Sequence, residues 1–255
     1  MNDSELDANG CEPLSAVPFP ETADIESSSD EYAARFAGAA GQWMLSVQER
    51  LTKKLLKPLG DDLKVLDVGG GHGQLAIPLC ADGHAVTVLG SAPECSHRIQ
   101  SVIDSGLCKF LVGSVVELPF EDRSFDVAIS FRMLTHCQRW PDLVSELTRV
   151  ARRAVIVDYP TSQSVNLIAP RLFDAKKKLE TNTRTWRLFR HSEVNEEFQA
   201  NDFELERAAK QFFLPMVVHR MVKCRAISMT TEGLCRGLGL TRLAGSPVVA
   251  LYTRR

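Results

Sequence analysis

Val65-Leu66-Asp67-Val68-Gly69-Gly70-Gly71-His72-Gly73 sets a short apolar run against a glycine-rich turn. Lys64–Val68 reads as a buried strand, and Gly73–Cys80 as the start of a helix. Glycine suits this junction because the backbone must turn sharply, and because a ligand can approach it with no Cβ in the way. The helix that follows has free N–H groups in its first turn. Strand, glycine turn and helix together make a general nucleotide cradle, and the spacing narrows it. A dinucleotide site uses G-x-G-x-x-G with an acid about 20 residues on. Here the pattern is Gly69-x-Gly71-x-Gly73. Gln74 stands where the third dinucleotide glycine would be, and Asp67 precedes the first glycine by two residues.

Outward from this point the chain alternates strand and helix. Ala85–Leu89, Lys109–Leu111, Phe125–Ser130 and Ala154–Asp158 read as strands. Pro93–Ser105 and Pro141–Ala151 read as the helices between them. Units of this length imply a parallel sheet with helices on both faces. Farther on, Leu167–Leu179, Ser192–Ala200 and Met216–Ala226 are expected helices, and Phe203–Phe213 and Pro247–Thr253 expected strands. Before the glycine turn, Tyr32, Phe36, Trp43, Val47 and Leu51 recur at helical spacing through about Leu59. Residues 1–29 are acidic, rich in Ser and Pro, and lack apolar periodicity, so a disordered tail is expected there.

Asp-x-Gly-x-Gly-x-Gly resembles the first motif of class I methyltransferases that use S-adenosylmethionine (SAM). Three further segments continue the resemblance in order: Val112–Phe120 after the third strand, Ser124–Ser130 on the fourth, and Glu146–Val150 leading into Val155–Asp158. The match covers about residues 30–160 and is nearest the small-molecule subgroup that includes ubiquinone- and menaquinone-biosynthesis methyltransferases. It implies an α/β, Rossmann-like, doubly wound and mainly parallel sheet with an antiparallel last strand. It also implies one domain over 30–255, with lid helices over 30–59 and a substrate-side insertion over about 161–200.

By that resemblance Asp67 would meet the methionine end of SAM, and Gly69, Gly71 and Gly73 would line its carboxylate and ribose. Ser114 and Val115 would bracket the adenine, and Phe131 would wall the pocket. The family usually ends its second strand with an acid for the ribose hydroxyls; here Gly90 holds that place, with Ser91 next to it. Ser114 likewise replaces an acid on the adenine side.

Methyl transfer from a sulfonium is an in-line displacement, and a base is needed only if the acceptor must lose a proton. His136, just past the fourth strand, and Tyr159, just past the fifth, are the candidate catalytic residues. Packing of His136 on Trp140 and of Tyr159 at a strand edge are the alternatives. Tyr32, Arg35, Arg132 and His219 are candidate substrate contacts, with Arg132 suited to an anionic acceptor. Arg171, Lys176–Lys178, Arg184, Arg187 and Arg190 make the insertion basic.

The chain has 255 residues, 44% apolar, and a net charge of −2. Residues 1–130 carry 9 basic and 20 acidic residues, hence −11; the remainder carry 21 and 12, hence +9. Either the halves pair with each other or the second half faces something anionic. Seven cysteines without C-x-x-C spacing argue against a disulfide framework and against a zinc site. No secretory signal and no membrane-length apolar run is present, so a cytoplasmic location is expected. A nucleic-acid substrate is disfavoured, because no base-flipping motif or aromatic–basic interleaving accompanies the basic half. The expected reaction is methylation of a small molecule. The alternative is a non-catalytic protein that keeps the fold as a binding or scaffold module.

Overall fold

The computed structural model describes residues 19–164 and 186–255. Its seven strands are β1 (Lys64–Val68), β2 (Ala85–Gly90), β3 (Cys108–Val112), β4 (Phe125–Ser130), β5 (Ala151–Tyr159), β6 (Phe203–Phe212) and β7 (Ser246–Arg254). They form one sheet in the order β3-β2-β1-β4-β5-β7-β6. β1 to β5 pair in parallel, while β7 runs antiparallel to both β5 and β6. The order reverses between β1 and β4, the switch point where open α/β sheets leave a crevice beyond their carboxyl ends. The glycine turn lies at the carboxyl end of β1.

Alternation along each strand divides the core in two. Leu66 and Val68 of β1 join one cluster with Leu143, Val144 and Leu147 of the helix Trp140–Val150 (α6). Val65 joins the other, with Leu55 and Leu56 of the helix Gly38–Leu56 (α3) and Leu79 of Ala76–Ala81 (α4). Buried α6 residues recur at the three- and four-residue intervals of one helical face, and Pro141 sits in its first turn, where no N–H is needed. Helices therefore cover both faces, as the resemblance implied.

Several elements differ from expectation for identifiable reasons. Gly73 takes a left-handed conformation, φ 78°, so the glycine turn closes as a short 3-10 turn, Gly70–His72, and α4 starts only at Ala76. Pro93–Ser105 splits into a 3-10 segment, Pro93–Ile99, and a five-residue helix, Gln100–Asp104 (α5). The helix at Met216 (α8) stops at Val222, because Lys223 adopts φ 55°. Between His191–Ala200 (α7) and the chain's last strand, two further helices appear, Arg225–Gly237 (α9) and Leu240–Ala244 (α10). The expected helix Leu167–Leu179 lies outside the described residues.

The acidic tail needs the largest correction. Ala23–Ser27 forms a helix (α1) and Asp30–Ala34 another (α2), the latter capped by Ser29 Oγ, which accepts from the Tyr32 N–H at 3.1 Å. Asp24, Ser27 and Ser28 are buried. Residues 1–18 lie outside the described residues.

Candidate active site

β1 delivers Asp67 to the crevice, where its carboxyl group lies against Gly70 so closely that any side chain at that position would overlap it. Burial pushes Asp67 up to about 7, with Arg132 pulling the other way. Gly69 takes φ 77°, and a methyl there would meet Met133 Sδ at 2.7 Å. A methyl at Gly71 would overlap the Cys95 carbonyl and Ser28 Oγ. Gly73 turns toward Ile77 and Ile99, so its role is the left-handed bend. Beside the turn remains a cavity of about 20 Å³, lined among others by Asp67, Gly69, Gly70, His72, Phe131 and Arg132.

Arg132 lies two residues past the end of β4. Its φ of 62° is strained for a side-chain-bearing residue, and the contacts around it hold that conformation. The Arg132 N–H donates to Asp158 Oδ1 at 2.5 Å, and its guanidinium donates to Gln74 and, at 3.2 Å, to Gln48 Oε1. Gln48, from α3, donates to Asp158 Oδ2 at 2.8 Å. The guanidinium stands 5.6 Å from the Tyr32 ring centroid and 4.9 Å from that of Phe36. Both rings also meet His72 edge-on, at 6.0 and 5.9 Å. Burial, with Arg132 and Arg98 nearby, pushes His72 down to about 3, and neither of its ring nitrogens has a hydrogen-bond partner. Asp158 is pushed up to about 6 by burial, against the opposing pull of the Arg132 N–H and guanidinium and of Gln48. Tyr32 and Arg132 thus come together beside the glycine turn, joined by Gln48, Gln74, His72 and Asp158, which the sequence reading did not single out. Asp158 was legible as the acidic end of the fifth strand; Gln74 was noted only as the departure from the dinucleotide pattern, and Gln48 carried no signal.

Of the other candidates, Phe131 and Arg35 border this cluster, Arg35 standing 5.0 Å from the Tyr32 ring centroid, and the rest fall elsewhere. Arg35 turns to Glu26 at 3.2 Å. Phe131 walls the cavity, and Val115 is core. Ser114 Oγ accepts from the Val116 N–H at 3.3 Å, closing its own turn. A side chain at Gly90 would strike Cys95 Cβ at 2.6 Å and the Phe110 ring at 3.1 Å, so no acid fits there. Ser91 N–H and Oγ donate to Asp24 at 2.6 and 2.5 Å. His136 is half-buried in the turn after Met133, while the Trp140 ring packs on Phe189 at 5.2 Å. Tyr159 is fully buried and hydrogen-bonded to His191 Nδ1, and burial raises its hydroxyl above the ordinary range. In the insertion, Arg187 stacks over Trp140 at 5.4 Å and pairs with Glu193, and Arg190 precedes α7. Arg171, Lys176–Lys178 and Arg184 lie outside the described residues.

Residues 66–157 match the family described as a methyltransferase domain. Over 228 residues the chain is 27% identical to malonyl-[acyl-carrier protein] O-methyltransferase of Pectobacterium atrosepticum, spanning 86% of this chain and 87% of that protein. Residues 66–157 form the methyltransferase domain of a SAM-dependent enzyme. An O-methyltransferase of Aspergillus nomiae is 32% identical over 117 residues, 41% of this chain and 50% of its own. In fold, the methyltransferase resembles the magnesium protoporphyrin IX methyltransferase of Synechocystis PCC 6803 crystallised with bound SAH (S-adenosylhomocysteine, the demethylated product of SAM). The TM-score is 0.61 at 14% identity, covering 91% and 98% of the two chains.

His219 of the methyltransferase belongs to a buried pair away from the glycine turn. Its Nε2 lies 3.1 Å from Glu232 Oε1, and its ring meets Trp43 at 5.4 Å. Glu232 also accepts from the N–H groups of Phe213 and Leu214 at 2.9 and 2.8 Å. Burial would raise Glu232, but His219 and these two donors outweigh it and hold the group below its ordinary value. Glu232→Ala strands three buried donors, so urea unfolding should show a loss of about 3 kcal/mol. A loss under about 1 kcal/mol would mean that the pair is not structural. Among the described residues no group of three or more His, Cys, Asp or Glu is placed to hold a metal ion, and no helix is long and apolar enough to cross a membrane.

Proposed function

We propose that this methyltransferase forms methyl esters or ethers on an anionic small-molecule acceptor, with a carboxylate the best fit. The observation that carries this reading is Arg132, a cation fixed beside the glycine turn by Gln48, Gln74 and the aromatic rings. The relatives from Pectobacterium and Aspergillus, both O-methyltransferases by name, support transfer to oxygen.

The residues present fit SAM. Gly69 and Gly71 let the turn pack against Met133 and the Cys95 carbonyl with no Cβ between, and Asp67, one residue before the end of β1, lines the cavity where the ammonium of the methionine end would find an acceptor. When bound, SAM supplies an electrophilic methyl whose transfer to an acceptor oxygen forms the O–C bond as the S–C bond breaks. Arg132 holds the acceptor's negative charge. Tyr32 and Phe36 cover the site from α2 and the turn after it, and keep water out.

The cavity offers no good base beyond Asp67, which is engaged with SAM in this reading. His72, at about 3, does not retain a proton near neutrality, and Tyr159 is committed to His191. An acceptor that is already ionised needs none. The test is SAH production from a panel of carboxylic acids and phenols at saturating SAM. Carboxylates should be methylated with a kcat flat between about pH 7 and 9. Arg132→Met should lower kcat/KM for them about 100-fold, the loss of a charge-assisted contact. A preference for neutral phenols, with rate rising as pH rises, would sink this reading.

A further inference from the structure

The glycine cradle is already in use by the chain itself. The point where a methyl on Gly71 would sit is shared by the Cys95 carbonyl oxygen and Ser28 Oγ, and Asp24 Cβ lies 3.5 Å from the corresponding point on Gly69, beyond the Met133 side chain. Asp24 is completely buried. Its carboxyl group accepts from Ser91 N–H at 2.6 Å, Ser91 Oγ at 2.5 Å and Cys95 Sγ at 3.3 Å, all just past the end of β2. Glu21, one turn earlier, accepts from the Arg139 N–H at 2.9 Å, and Ala23 packs on the core cluster that contains Val115 and Met133. Ser27 closes the remaining cavity. From end to end, α1 follows the floor along which SAM would lie, from the glycine turn past the end of β2 toward Val115.

We propose that α1 is a tethered occupant of the SAM crevice, and that SAM binds by displacing it. Asp24 takes the donors at Ser91 that lie next to the ribose position, and the missing Cβ of Gly71 leaves room for Ser28 Oγ beside the Cys95 carbonyl. About 20 Å³ of free space holds roughly one water, so a seated α1 and SAM cannot share the crevice. The affinity measured for SAM is then its intrinsic affinity reduced by the fraction of molecules with α1 released. This rests on the SAM assignment, and the experiment separates the two.

The 255-residue protein and its Asp24→Ala variant are titrated with SAH by calorimetry. Hydrogen exchange over residues 22–29 is followed with and without saturating SAH. Asp24→Ala removes three hydrogen bonds to a buried acceptor and should bind SAH on the order of tenfold more tightly. Exchange over 22–29 in the 255-residue protein should speed up when SAH is added. Weaker binding by Asp24→Ala, with slower exchange on adding SAH, would overturn the proposal and make Asp24 a ribose acceptor supplied by α1. Unchanged affinity and exchange would overturn it by placing α1 off the ligand's path. If neither the 255-residue protein nor Asp24→Ala binds SAM or SAH, the SAM assignment itself is wrong and the proposal falls with it.

Discussion

Gly71→Ala should abolish measurable SAH binding at ligand concentrations that saturate the wild type, a loss of at least about 100-fold, and should destabilise the free protein by about 2 kcal/mol. Gly71 is not among the glycines with positive φ, so alanine's backbone preferences are not the issue. The cost is steric. The new methyl overlaps the carbonyl oxygen of Cys95, which belongs to the backbone after β2 and cannot rotate away, as well as Ser28 Oγ. The methyl must therefore push the glycine turn away from the segment after β2, the two walls that would frame the ribose in the proposed SAM site. Gly73→Ala makes the comparison. It disturbs the left-handed turn at φ 78° and crowds Ile77 and Ile99, so it should reduce stability without touching the crevice face. Calorimetry and urea unfolding on both variants check this. An alanine at 71 with wild-type SAH affinity would remove the glycine turn from the binding site.

The second large effect is on Asp67, read through pH. Its carboxyl group is held near pKa 7 by burial, so below pH 7 the free protein carries a proton there. If Asp67 accepts from the ammonium of the methionine end, binding must release that proton. SAH affinity should then be level above pH 7 and fall toward tenfold for each unit below it. Asp67→Asn should flatten this dependence and weaken binding at pH 8 by about 100-fold, the loss of a charged acceptor.

The same group bears on stability with a definite sign. Its folded pKa stands above its ordinary value of 3.8, so the folded state holds the proton more tightly than the unfolded chain does. Any stability this contributes is fully present below pH 3.8 and lost as pH rises through 7. Asp158, pushed up to about 6, adds to the trend. Asp67→Asn should therefore make the ligand-free protein more stable at pH 8, by up to about 4 kcal/mol, while binding less well. A variant that is less stable and binds normally would contradict both halves.

What the sequence made legible were features decided locally. β1 and β4 were read to the residue, because a compact apolar run ended against glycine or serine. The antiparallel last strand came from the family resemblance, and the structure carries it. What escaped depended on distant partners. α1 has only five residues and no apolar stripe; its place is set by Ser91, 67 positions away, and by the bare faces of Gly69 and Gly71. Gly90 looked like a loss, yet Cys95 and Phe110 leave no room for a side chain there. α9 inverted the usual rule. Ile227, Leu234 and Leu238, one stripe at helical spacing, are exposed at 56%, 64% and 66%, while Ser228, Glu232 and Cys235 face inward. His219 was expected near the acceptor, but its fate was set by Glu232, thirteen residues on, and nothing local signals that pair.

The position of β7 carries a consequence for how the molecule comes into being. Ser246–Arg254, last among the strands in sequence, is not at the edge of the sheet; it lies between β5 and β6. During synthesis, β5 is made some ninety residues before β7, and until then one whole side of it lacks its ladder partner. β6, made in between, has no place to dock at all. An open edge of that kind invites pairing with other chains. Nascent chains stalled before Ser246 should therefore be far more prone to aggregate than the finished protein, however sound their crevice, and so should be the first clients of the cell's holding chaperones.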